Sequence, residues 1–268
     1  MTHTIGFTVT EPNENMAPQT IQQAEPIVPR PSLVQVHFQN KSMTLAYYND
    51  QFDLHVGDLV YVDGKLEGVR GRITEVNYNF KIKVSDYKRV IAVVDTTVHG
   101  QFFMAGSHFV TFDRSALPAE KIVTWFKAPS EDEFVSGHDD TTFRLDELKD
   151  MKIGTAIAER GHEYYMENDV RYLCIDGTKG YAIVEGSEAY EVEFTYQNGE
   201  ISRLVCSCFC SYNCKHEFAA MLQLRETLEL IAKHYATEYE QTDYFAAILK
   251  GTLFAFAIDG KETGMFTL

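Results

Sequence analysis

Cys206, Cys208, Cys210, Cys214 and His216 fall within eleven consecutive positions and include four of the chain's five cysteines. Thiolate and imidazole are donors that Zn2+ takes four at a time, in a tetrahedron. The spacing C-x-C-x5-C-x-H makes Cys206, Cys208, Cys214 and His216 such a set. A site with four protein ligands leaves no position for water, so the expected ion is a single structural zinc whose binding is folding energy. Cys210 leaves a second set open, C-x-C-x3-C-x-H from Cys208 to His216. The apolar residues Ile201, Leu204 and Val205 deliver the chain to Cys206 and favour the first set. A disulfide cluster would suit a secreted chain. Met1 is followed by no apolar signal segment, so the thiols are expected reduced and the chain cytoplasmic. A redox pair would be written C-x-x-C beside a βαβ pattern, and neither occurs.

A strand must bring in the first pair of ligands and a helix start must hold the second. Residues 170–175, 181–185 and 190–196 read as strands, and Asn198-Gly199 is a hairpin signal leading into 201–205. After the ligands, Phe218, Leu222, Leu228, Ile231, Ala232 and Tyr235 form the apolar stripe of a long helix. His216 then sits on its first turn, where the helix dipole favours a net negative Cys3His site. Ala156, Ile157, Gly161, Tyr164 and Tyr165 stand at helical spacing upstream.

With Ala219, Ala220 and Leu222 following it, this knuckle resembles the SWIM zinc finger, whose pattern is C-x-C-xn-C-x-H. The resemblance extends upstream to about residue 153, through Arg160-Gly161-His162-Glu163-Tyr164-Tyr165, Val170, Val184-Glu185-Gly186-Ser187 and Tyr190-Glu191-Val192. It is to bacterial members, in which this lead-in forms strands packed on the finger. Cys210 departs from them, standing where they often carry Pro or an aromatic. The resemblance implies contact with DNA or with proteins of nucleic-acid-processing complexes.

Charge weighs against a simple nucleic-acid reader. The 268 residues carry 24 Lys and Arg against 39 Asp and Glu, a formal charge of −15. Such a chain is repelled by phosphates unless its cations gather on one face. The one basic island is 63–89, where Lys65, Arg70, Arg72, Lys81, Lys83, Lys88 and Arg89 outnumber four acids. Tyr61, Tyr78, Phe80 and Tyr87 interleave it, as stacking platforms would. Strand alternation over a core produces much the same text. Residues 56–76, with a G-D-x-V-x-V strand, Gly64, Gly68 and Gly71, resemble the KOW-like segment of small SH3-like barrels. Residues 80–84 and 89–94 are expected to continue that barrel.

The rest of the chain divides by composition. Residues 1–32 hold five of the seven prolines and read as a disordered arm. Residues 33–128 form a β-rich small-barrel domain, and 129–150, with a net charge of −6, an acidic linker whose second half is a short helix. Residues 151–240 form the finger domain, and 241–268 an apolar tail packing on it or on a partner. Lys121 to Phe126 is read as an apolar strand or short helix holding the only Trp, Trp125, in a core. Ser107, His108 and Asp113 are the residue types of a hydrolytic triad but lack a nucleophile elbow. Asp139 and Asp140 read as solvated linker. No run of about 20 apolar residues occurs, so no membrane span is expected. The fold expected is α+β, a small β-barrel-like domain followed by a ββα-type finger with its strand lead-in. The function expected is a zinc-binding adaptor, not an enzyme, with a protein partner and no small-molecule substrate. Direct DNA or RNA contact through the basic island is the alternative, and a hydrolase a distant second.

Overall fold

The computed structural model describes residues 4–6, 29–130, 135–138, 140–208, 210, 212–259 and 265–267. The expected Pro-rich arm lies outside the described residues except at 4–6 and 29–32. After β1 (Thr4–Gly6), the strands β2 (Ser32–Phe38), β3 (Met43–Asn49), β4 (Leu59–Val62), β5 (Gly71–Asn77) and β6 (Val90–Val93) form an antiparallel sheet in the order β3-β2-β5-β4-β6. Alternation along β2 buries Val34, Val36 and Phe38 against Tyr47, Leu54, Val60, Val62, Ile73 and Val90. Gly71 is required by close approach, since a Cβ there would overlap the Val36 and Phe38 side chains. The expected barrel is not closed. Residues 80–83 hold no strand and Val84–Asp86 is a 3-10 turn. The sheet therefore stays open: among the described residues no ladder joins its edges β3 and β6, and an isolated bridge links Tyr48 of β3 to Arg89, just before β6.

The remaining elements are β7 (Phe103–Ala105), β8 (His108–Thr111), α1 (Ala119–Val123), β9 (Phe143–Arg144), α2 (Thr155–Met166), β10 (Val170–Asp176), β11 (Lys179–Glu185), β12 (Ala189–Gln197), β13 (Glu200–Cys206), α3 (Lys215–His234), α4 (Ala236–Glu240), β14 (Tyr244–Leu249), α5 (Lys250–Ala257) and β15 (Met265–Thr267). The terminal strands β1 and β15 pair with each other, and eight others form one antiparallel sheet ordered β7-β8-β14-β10-β11-β12-β13-β9. Its central strands are buried on both faces, which is why β14 reads as a continuous apolar run. Leu173, Ile175, Val184, Phe245 and Ala247 face α3, while Tyr172, Cys174, Ile183, Ala246 and Ile248 face Trp125, Leu253 and Phe256. Leu59 and Tyr61 of β4 join that second core, so the two sheets pack on each other. The fold class is mixed α+β.

Three expectations meet a different structure. Residues 103–111, read as part of the first unit, belong to the second sheet, where β8 pairs with β14 and β7 with β8. The second half of the acidic stretch is a strand and a 3-10 turn, Leu148–Met151, rather than a short helix, and Phe143, Leu145, Leu148 and Met151 are core residues. The apolar tail begins as β14, hydrogen-bonded between β8 and β10 in mid-sheet, because only a two-sided core can cover five successive apolar side chains. Among the described residues no helix is long and apolar enough to cross a membrane.

Candidate metal centre

The last strand residue before the knuckle faces the helix because β13 contains a bulge. Ile201 is on the α3 side, and strict alternation would put 203 and 205 there. Instead the β12–β13 register shifts between Glu193 and Thr195, with Arg203 held at φ +52°. The extra residue flips the alternation, so Leu204 and Cys206 join Ile201 against the same core. Ser207 then latches the chain to Glu191, donating its N–H to the Glu191 carbonyl at 2.9 Å and accepting from the Glu191 N–H at 3.0 Å. Asn213 donates to the Met151 carbonyl and fixes the far side of the knuckle.

Cys214 is the N-cap of α3. Its sulfur accepts from the Glu217 N–H at 3.4 Å, and the Glu217 carboxylate accepts from the Cys214 N–H at 2.7 Å. This is a capping box with a thiol in the place usually held by a hydroxyl. It aims Cys214 and His216 from the helix start at the end of β13. Gly161 lets α2 lie close against this turn: a Cβ there would stand 2.8 Å from the Lys215 carbonyl oxygen and 2.9 Å from Phe218 Cβ.

One ligand atom from each of Cys206, Cys208, Cys214 and His216 lies within 4.8 Å of all the others. His216 Nδ1 is 3.7 Å from Cys206 Sγ and 3.8 Å from Cys214 Sγ. Those separations match the edge of a zinc tetrahedron with sulfur and nitrogen vertices, about 3.6–3.8 Å. Cys210 is exposed and stands outside this group. The Tyr190 ring stacks on the His216 imidazole, with centroids 4.0 Å apart and planes inclined by 15°. Tyr164 meets the same ring edge-on at 5.4 Å, and its hydroxyl accepts from Lys215 Nζ at 2.6 Å.

Electrostatics within the cluster invite a cation. Burial first, and then Cys214 and Cys210, push the Cys208 thiol up to about 12. Cys214 is raised by its hydrogen bond with Cys206, then by burial and the Glu217 charge. Burial chiefly, with Lys215 beside it, pushes His216 down to about 4, so its imidazole is neutral at pH 7. Cys208 and Cys214, thiols that resist ionising, become thiolates once a dication compensates them. His216 Nε2 is buried without a hydrogen-bond partner among the described residues. With a metal at Nδ1 the proton would sit on this Nε2.

No family model, curated protein or solved structure matches this chain. The chemistry must be argued from these residues.

The basic island is arranged differently from the cluster. Arg70 donates to the Trp125 carbonyl and lies 4.3 Å over Phe256. Arg72 donates to the Gly57 carbonyl at 3.0 Å and pairs with Asp259 at 3.7 Å, and Arg89 pairs with Asp50. Its lysines Lys65, Lys81, Lys83 and Lys88 are exposed, Lys83 near Asp86 at 3.7 Å. His108 is fully buried. Its Nε2 faces the Val170 carbonyl at 2.8 Å and so carries the proton, while Nδ1 accepts from the Ser107 hydroxyl at 3.0 Å. Asp113 accepts from the N–H and hydroxyl of Ser115. Asp140 is exposed and Asp139 lies outside the described residues. Sequence reasoning missed the bulge at Arg203, the Cys214–Glu217 box and the tyrosines flanking His216. The C-x-x-E spacing and the three-residue step from Ile201 to Leu204 were the available signals.

Proposed function

We propose that the chain is a zinc-structured interaction protein of the SWIM type, acting through protein contacts within a nucleic-acid-processing complex. What carries the reading is the convergence of Cys206, Cys208, Cys214 and His216 from a strand end and a helix start. Zinc bound there has a full set of protein ligands, so it ties β13 to α3 rather than activating water. The residues hold their own geometry: the bulge turns Cys206 inward, the capping box sets Cys214, and Tyr190 and Tyr164 orient the imidazole. The acidic balance supports protein contact over direct phosphate contact, and so does the engagement of Arg70, Arg72 and Arg89 inside the fold.

Elemental measurement on purified, reduced protein should find one zinc per chain, lost in Cys206→Ser, Cys208→Ser and Cys214→Ser. Partner capture should survive nuclease treatment and fail with Cys214→Ser. Metal-free wild-type protein would overturn the reading, and capture abolished by nuclease would transfer the role to nucleic acid.

A further inference from the structure

We propose that Cys210 is a peroxide-modification site, forming a disulfide with Cys208 that withdraws a ligand from the metal cluster. This rests on the zinc reading above. Of the four clustered thiols, Cys210 is the exposed one, Cys206 and Cys208 are half-buried, and Cys214 is buried. Cys210 is also the thiol that the tetrahedron does not use, and it stands two residues from the ligand Cys208. Two positions apart, their Cα atoms cannot be separated by more than about 7 Å even in extended chain. Disulfides need a Cα separation of roughly 4.4–6.8 Å. Exposure selects Cys210 for first attack, and proximity selects Cys208 to resolve it.

The chemistry balances with hydrogen peroxide as oxidant. Cys210 sulfur attacks one peroxide oxygen, the O–O bond breaks, and the departing hydroxide takes the thiol proton as water. The resulting Cys210 sulfenic acid is attacked by the Cys208 thiolate; the S–S bond forms, the S–O bond breaks, and the second hydroxide takes a solvent proton. Two sulfurs have each given up one electron, and the peroxide has become two waters. Cys206, Cys214 and His216 then remain as three donors of a four-donor site. A dithiol reductant returns two electrons and two protons, restoring both thiols and the full ligand set.

The test is zinc release from reduced, zinc-loaded full-length protein treated with hydrogen peroxide, followed by a chromogenic chelator and by differential alkylation of the cysteines. Wild-type protein should release its zinc, protect Cys208 and Cys210 together from the first alkylating reagent, and recover its zinc after dithiol and Zn2+ are added. Cys210→Ser and Cys210→Ala should hold one zinc per chain beforehand and release it several-fold more slowly. Release at the wild-type rate by both variants would overturn the proposal, as would a disulfide joining Cys206 to Cys214. Loss of zinc from both untreated variants would also overturn it, by making Cys210 a ligand. Wild-type protein purified without zinc would instead defeat the metal reading itself.

Discussion

At the scale of single residues, the cluster's chemistry can be separated from its packing by counting protons. Burial chiefly keeps Cys208 protonated without a cation, and its hydrogen bond with Cys206 chiefly keeps Cys214 so, while His216 is already neutral at pH 7. Zinc binding at pH 7 should therefore release protons from the Cys208 and Cys214 thiols and none from the imidazole, measurable with an indicator dye. His108 offers a second proton-linked expectation, far from the metal. Burial pushes it down to about 4, opposed by its bond to Val170 and aided by the Lys250 and Arg171 charges. The unfolded chain, with an ordinary histidine near 6.5, takes up its proton first as pH falls. Stability from this group is thus complete above about pH 6.5 and is lost as pH falls towards 4, by up to about 3 kcal/mol. Urea midpoints across that window should show the slope, and His108→Gln should flatten it. The convergence of Cys206, Cys208, Cys214 and His216 was legible from spacing, since few other structures bunch thiols beside a histidine. The roles of Tyr190 and Tyr164 were not, because stacking across β12, α2 and α3 has no trace in linear order.

At the scale of elements, the bulge in β13 decides where Cys206 points. Ile201 and Leu204 are three apart, a spacing that contradicts a regular strand and was readable as the sign of an inserted residue. Arg203 takes the positive φ that the insertion demands, a conformation that costs a non-glycine residue about 1 kcal/mol. Arg203→Gly should keep one zinc per chain and hold or slightly raise the melting temperature. Deletion of Arg203 should leave Leu204 and Cys206 on the α3 face by plain alternation and keep stoichiometric zinc, whereas one further residue inserted after Arg203 should turn Cys206 to the opposite face and abolish it. Gly161→Ala is the matching experiment on the helices. Its methyl meets the Lys215 carbonyl and Phe218, backbone and packed ring respectively, so neither can yield cheaply. A loss of about 1–3 kcal/mol in stability is expected from such overpacking, together with weaker zinc retention as Tyr164 is displaced with α2. The Asn198-Gly199 hairpin was legible because both residues adopt the positive φ that this pair favours. β14 and β9 were not: a fully apolar strand and a two-residue strand carry no period of their own, and their partners lie far away in sequence.

For the whole molecule, the question is how far the metal's influence reaches. The five-stranded sheet has its own core of Val34, Val36, Phe38, Val60 and Ile73, and none of these touches the cluster. The eight-stranded sheet is held by α3, which buries Ala219, Ala220, Met221, Leu222, Leu224 and Ile231 well beyond the ligand turn. Zinc bound there would clamp only the first turn of α3 to the end of β13, while apolar packing retains the rest of the helix. A strong chelator under reducing conditions should raise amide exchange over 200–220 and leave β2 to β5 as protected as before. The melting temperature should fall, and added Zn2+ should reverse both changes. Exchange rising equally through both sheets would mean that one cooperative unit depends on the ion, and the clamp would have to be extended to the whole chain. Unchanged exchange over 200–220 would mean that the capping box and the Ser207 latch hold the knuckle without it. Between those outcomes, a local response is what the fold requires, because the cluster packs on the α3 face of the eight-stranded sheet, opposite the face where Leu59 and Tyr61 join the two sheets.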